Sequence, residues 1–307
     1  MQKARTIIFF LAAAVCLLPL ISAPVALLMG LVVARWIGHP FLEFNQKATR
    51  LLLQFSIAGL GMGMNVHSAL KAGKEGMGLA ASSIIVTLAL GYWLGKLFKT
   101  EPKTAHLIAA GTAICGGSAI AAIAPVIEAE DKSISVALGT VFILNAVALF
   151  LFPFIGHLLH LSQTEFGLWS AIAIHDTSSV VGAASKYGSQ ALETATTVKL
   201  TRAIWIIPVA VLFAAMYKSN NRKISIPGFI VWFIAALLLN SYVPVVQQYS
   251  SLLTGIAKAG LTLTLFLIGA GLTGNLLQSV GFRPFLQGLV LWIIISAAAL
   301  WAVVWLA

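Results

Sequence analysis

Three short clusters carry the reactive residue types within the apolar stretches of this sequence. The first is His-Asp-Thr-Ser-Ser at 175–179, five consecutive polar residues inside an apolar stretch. An imidazole titrates near neutrality, and ionisable groups inside a membrane mark proton and ion pathways. His175 and Asp176 are therefore candidates for proton coupling, with Thr177 and Ser178 as substrate ligands beside them. In the second cluster, Lys199 and Arg202 are three residues apart and share a helix face. A guanidinium fork suits a bidentate oxyanion such as a carboxylate, sulfonate or sulfate, which makes Arg202 a candidate anion contact. Lys199 reads as a residue snorkelling towards the interface.

The third cluster is Gly116-Gly117-Ser118. Paired glycines weaken a helix, and Pro125 removes a further backbone donor. A helix broken here aims unsatisfied N–H groups and its positive dipole end into the gap, which suits an anion. Gly116, Gly117 and Ser118 are candidate substrate ligands on that ground, as are Gly271 and Thr273 in the second glycine-interrupted stretch, 269–275. Structural readings stand beside these. Asp176 and Arg202, about 16 and 14 Å deep at a rise of 1.5 Å per residue, are placed to meet as an ion pair holding two helices together. Small residues also let helices pack closely, and that is the reading favoured for Gly59, Gly61 and Gly63. Asn65 and Asn145 read as interhelical hydrogen-bonding residues.

These clusters need elements that can carry them through a membrane. With 60% hydrophobic and 9% charged residues among 307, the chain lies far from soluble composition, where about a quarter of residues are charged. No polar segment is long enough for a separate soluble domain, so the net charge of +10 concerns loop distribution and not nucleic acid. Segmentation on a length of about 20 apolar residues and on Pro, Gly and charge punctuation gives the spans 6–22, 23–38, 50–65, 77–97, 105–127, 133–157, 166–187, 193–217, 226–244, 258–278 and 285–306. Lys3 and Arg5 before the apolar run 7–20 resemble a secretory signal, and Ala14-Val15-Cys16 faintly resembles a lipoprotein cleavage site. The segment is read here as the first span. Cys16 and Cys115 both fall in apolar runs, which argues against a disulfide or a metal cluster.

Eleven spans divide into one extra helix (6–22) and two units of five, 23–157 and 166–306, within a single transmembrane domain. An odd-numbered unit places its second copy upside down, as in inverted-repeat transporters. This division makes the span carrying Gly116 equivalent to the one carrying Gly271 and Thr273, both broken helices that cross. The run 55–65 nevertheless looks more like 266–275 than the Gly116 span does. Lys and Arg accumulate on one side if the amino terminus is cytoplasmic: Lys3, Arg5, Arg35, Lys47, Arg50, Lys96, Lys99, Lys103, Lys218, Arg222, Lys223 and Arg283. Only Lys71, Lys74, Lys132, Lys186 and Lys258 then lie outside, together with the acidic Glu128, Glu130 and Asp131. The carboxyl terminus is expected in the periplasm.

Leu60-Gly61-Met62-Gly63-Met64, the run 115–122 beginning Cys-Gly-Gly-Ser, and His175-Asp176-Thr177-Ser178-Ser179-Val180 together resemble the sulfate exporter family, bacterial inner-membrane proteins of the YeiH type. The likeness covers nearly the whole chain. It implies a secondary transporter distantly similar to the bile-acid/sodium symporter and cation/proton antiporter folds, with crossing broken helices and sulfate, sulfite or an organosulfonate as substrate. The leading expectation is a proton-coupled transporter of a small anion working by alternating access. The alternative is a cation/proton antiporter on the same fold, in which Asp176 binds Na⁺ or H⁺ and Arg202 is structural. A membrane-embedded enzyme or receptor with Cys115 or Ser118 as nucleophile ranks below both. No phosphate loop, dinucleotide fingerprint or metalloprotease spacing is present, so no cofactor is expected. The expected partners are a small anion, protons and the lipid bilayer, with no nucleic acid, and a homodimer on grounds of symmetry alone.

Overall fold

The computed structural model describes residues 2–18, 21–36, 42–217, 228–271 and 280–306. They form α1 (Gln2–Val15), α2 (Ala23–Trp36), α3 (Leu42–Gly61), α4 (Val66–Leu97), α5 (Pro102–Ala113), α6 (Gly117–Ile123) and α7 (Asp131–Leu158). There follow α8 (Gln163–Ala173), α9 (Thr177–Tyr187), α10 (Ser189–Ala203), α11 (Ile206–Met216), α12 (Gly228–Tyr242), α13 (Pro244–Gly271) and α14 (Phe282–Leu306). Among the described residues no strand occurs. Among them, five stretches are long and apolar enough to cross a membrane: 77–97, 132–158, 189–216, 244–271 and 282–305.

The chain divides into two compact units, 1–70 with 227–274, and 71–226 with 275–307. The first is a helix bundle around α13. Gly30 of α2 and Gly269 of α13 let the two backbones touch: a side chain at Gly30 would run into the carbonyl of Phe266, and one at Gly269 into that of Leu27. Gly59 of α3 packs against Ala257, and Gly63, just past the end of α3, against Thr254, so both serve helix packing. Asn45 Nδ2 donates to the Leu267 carbonyl at 2.9 Å.

The second unit departs from the expected span count. Glu101 Oε2 accepts from Ser133 Oγ at 3.2 Å, and Lys103 Nζ donates to the Glu128 carbonyl at 2.7 Å. The two ends of segment 102–127 therefore lie together, and α5 and α6 form a hairpin that goes in and comes back out. Segment 163–187 does the same. Gln163 Oε1 accepts from Gln190 N at 2.9 Å, Tyr187 Oη donates to the Leu161 carbonyl at 2.6 Å, and the rings of Phe166 and Tyr187 stack 3.8 Å apart. Both segments satisfy the length rule for a span, yet neither crosses. With 12 and 11 residues, α5 and α8 are about 18 and 16 Å long, roughly half a hydrocarbon core of about 30 Å.

Capping starts each hairpin. Glu101 takes the N–H groups of Lys103 and Thr104, with Pro102 in the first turn, where no backbone donor is needed. Burial pulls the Glu101 carboxyl up, but the bonds from Thr104, Lys103 and Ser133 outweigh it and hold the group below its ordinary value. Ser162 and Glu165 form a reciprocal capping box at the start of α8. The hairpins enter from opposite ends of α7, whose 28 residues span about 42 Å. The α10–α11 pair returns along the unit, since Tyr217 Oη lies 2.7 Å from His106 Nδ1 near the base of the first hairpin. α14 starts at that same end, where Gln287 Nε2 donates to the carbonyls of Gly91 and Ala105 at 3.0 and 3.2 Å.

This corrects the sidedness read from sequence. Lys132 and the acids Glu128, Glu130 and Asp131 sit at the same end as Lys103 and Glu101, not across the membrane from them. Single cysteines replacing Lys103 and Glu128, in a background lacking Cys16 and Cys115, are expected to react with a membrane-impermeant maleimide from one and the same side. Cysteines replacing Gln163 and Lys186 are expected to react from the other. Labelling of Lys103→Cys and Glu128→Cys from opposite sides would restore a crossing span.

Candidate functional site

The tips of the two hairpins meet. Gly116 is the N-cap of α6 with φ +64° and ψ −126°, a conformation closed to other residues at low energy. A Cβ there would lie 3.3 Å from Asp176 Cα and 3.4 Å from Asp176 Cβ. The glycine doublet thus both breaks the first hairpin and admits the tip of the second. Asp176 is the N-cap of α9, where its carboxylate Oδ2 accepts from the Ser178 N–H at 3.1 Å and from the Ser178 hydroxyl. Asp, Ser and Thr are the residues suited to starting a helix, so the polar run 176–179 is first a helix start and only then a binding surface.

A helix end inside a membrane needs every polar group satisfied by protein. For α8 the accounting is complete. Its orphan carbonyls are those of Ala171, Ile172 and Ala173, with that of Ile174 following. Lys199 Nζ donates to Ile174 O at 2.6 Å and to Ala171 O at 3.3 Å. Arg202 Nη1 donates to Ile172 O at 2.7 Å and to Ala171 O at 3.1 Å, and its Nη2 reaches across to the Ala113 carbonyl at the end of α5. Trp292 Nε1 takes the remaining carbonyl, Ala173, at 3.0 Å. On the donor side, Asn145 Oδ1 accepts from the N–H groups of His175 and Asp176 at 3.1 and 3.2 Å. Asn145 lies at the middle of α7, which puts the tips midway between the hairpin bases.

Two features remain open. Among the described hydrogen bonds, the N–H groups of Gly117, Ser118, Thr177 and Ser179 have no acceptor, and those to the Asp176 carboxylate all fall on Oδ2. Gly117, Ser118 and Asp176 are partly accessible, while His175, Lys199 and Arg202 are sealed at 0–1% exposure. The His175 ring packs against Trp292 at 6.5 Å, with both ring nitrogens buried and unpartnered.

Gly116, Gly117, Ser118, His175, Asp176, Thr177, Ser178 and Arg202 therefore converge as the sequence indicates. The expected meeting of Arg202 with Asp176 does not occur: the described bonds of the guanidinium go to backbone carbonyls, and the carboxylate bonds to Ser178. Lys199 is a fully buried helix-end cap and not a snorkelling residue. Gly271 lies in the first unit beside Asn45, at the end of an unbroken α13. Thr273 is outside the described residues. The described tip that meets the Gly116 segment is that of 163–187; residues 272–278 of the expected partner lie outside the described residues. Trp292 carries no sequence signal for its role; Lys199 had one in sharing a face with Arg202.

A family model described as "Conserved hypothetical protein 698" matches residues 5–288. The chain belongs to this family. Relatives named UPF0324 membrane protein include one from Bacteroides thetaiotaomicron, 53% identical over 91% of this chain and 86% of its own length. One from Photobacterium profundum is 49% identical over 97% and 91%, and one from Bdellovibrio bacteriovorus 47% identical over 98% and 94%. No solved structure matches. Membership and apolar helices together make the chain a multi-pass membrane protein of this family.

The contrast between adjacent glycines tests the tip geometry. Gly116→Ala is expected to lower stability by about 1–3 kcal/mol from the backbone conformation alone, with further loss from separating the tips. A Cβ at Gly117 meets only ordinary contacts with Leu138 and Phe142 at 3.4 Å, so Gly117→Ala is expected to be near neutral. Thermal melts of the purified variants in detergent check both.

Proposed function

We propose that this family member is a secondary transporter of a small anion of the sulfate, sulfite or organosulfonate class, with the meeting point of the hairpin tips as its binding site. The observation carrying this reading is an imbalance at the tips. The acceptors at the end of α8 are all consumed by protein donors, whereas four N–H donors at the starts of α6 and α9 are left over. The region of the tips also holds two basic side chains, Lys199 and Arg202, and one acid, Asp176. Free donors and an excess of positive charge favour an anion. Asp176, partly accessible and with Oδ1 outside its described bonds, is the group placed for coupling: ionised it repels the anion, and protonated it offers a donor instead. His175 stands behind it, against Trp292.

Hairpin plus long helix occurs twice in opposite directions, 102–158 and 163–216, which supports an inverted pair and alternating access through the tips. Lys96, Lys99, Lys103, Lys132 and Arg283 gather at one end of the second unit and Lys186 at the other. By the excess of basic residues in cytoplasmic loops, the first end is cytoplasmic and the carboxyl terminus periplasmic in a bacterial inner membrane.

In proteoliposomes, labelled sulfate or sulfite uptake is expected to rise with an imposed pH gradient. Asp176→Asn is expected to keep flux but lose the gradient response. Absence of anion flux together with Na⁺- or Li⁺-driven proton movement would favour the cation/proton antiporter.

A further inference from the structure

Broken-helix transporters bind coupling sodium with unwound carbonyls and half-helix carboxyl-terminal ends. In this protein the carbonyls at the end of α8, and that of Ala113 at the end of α5, already have protein donors. We propose that Lys199 and Arg202 are tethered cations occupying the carbonyl sites that a coupling sodium ion would take, and that the protein works without sodium. The role in coupling rests on the transport reading above; the occupied cation site does not.

Three observations lead here. The Lys199 ammonium bridges the carbonyls of Ala171 and Ile174, so it sits at the end of α8 where the negative pole of the helix is concentrated. Arg202 shares the Ala171 carbonyl and links it to Ala113 of the other hairpin, so one base serves the ends of both entering helices. Both side chains are at 0% exposure, and their described bonds go to carbonyls and not to a carboxylate. Two buried cations on one shared oxygen are costly unless that place demands positive charge. The two bases differ in what they replace. An ammonium is a compact point charge with three donors, the side-chain group nearest in form to a monovalent ion, whereas the guanidinium is a planar fork reaching two helices. Lys199 is therefore the substitutable one.

The test needs no transported substrate. Thermal unfolding of the purified protein is followed in equal concentrations of NaCl, LiCl, KCl and choline chloride. The wild type is expected to melt alike in all four. Lys199→Ala removes the ammonium and opens its space; it is expected to melt lower in choline and to recover saturably with Na⁺ or Li⁺. Lys199→Met fills the space without charge, and is expected to be destabilised with no recovery. Binding of labelled sodium gives a second readout, expected for Lys199→Ala and not for the wild type. Saturable sodium stabilisation or sodium binding in the wild type would overturn the proposal, whether or not Lys199→Ala folds. So would a Lys199→Ala protein that melts alike in every salt. A failed anion-flux experiment leaves these melts unchanged, so the two readings fail separately.

Discussion

Everything in the second unit follows from one constraint: a backbone that stops being helical inside a bilayer must find partners for its freed N–H and C=O groups within the protein. The hairpin tips create such groups twice, near the middle of α7. Asn145 is drawn to the tip of the second hairpin to accept two N–H groups, Trp292 is drawn in to donate to Ala173, and the two bases of α10 cover the remaining carbonyls at the end of α8. Removing one partner leaves a buried polar group unpaired at a cost of about 1–3 kcal/mol. Residues that look scattered in sequence thus form one hydrogen-bonded set.

The same set fixes the electrostatics. Helix carboxyl-terminal ends carry partial negative charge, which offsets part of the penalty of burying Lys199 and Arg202 without a carboxylate. Asp176 stands at the opposite kind of pole, the start of α9, where a negative group is favoured. Each charge therefore matches the helix end it caps. The described bonds of Arg202 go to carbonyls and those of the Asp176 carboxylate to Ser178, so the two charges are held by the helix ends and not by each other.

The parts legible in the sequence were those governed by local chemistry. The Gly116-Gly117 break, the polar start at 176–179 and the shared face of Lys199 and Arg202 all follow from residue type and short spacing. The fold-back did not, because a run of about 22 apolar residues meets the same length rule whether it crosses once or turns halfway. What distinguishes the cases lies at the hairpin bases, in contacts such as Glu101 with Ser133 and Gln163 with Gln190, separated by 32 and 27 residues. The predicted meeting of Asp176 and Arg202 came from equal depth, which says nothing about facing direction. Pairing the Gly116 segment with 258–278 follows from dividing eleven spans into two units of five, a division that changes once 102–127 and 163–187 fold back; in α13, Gly269 admits the backbone of α2.

The most direct measurement is a single-particle cryo-electron microscopy reconstruction of the protein in lipid nanodiscs with sulfate at saturating concentration. The account predicts Lys103 beside Glu128 at one face, Gln163 beside Gln190 at the other, Gly116 against Asp176 midway, and anion density at the N–H groups of Ser118 and Thr177. Segments 102–127 or 163–187 traversing the bilayer, or tips held apart with density elsewhere, would contradict it.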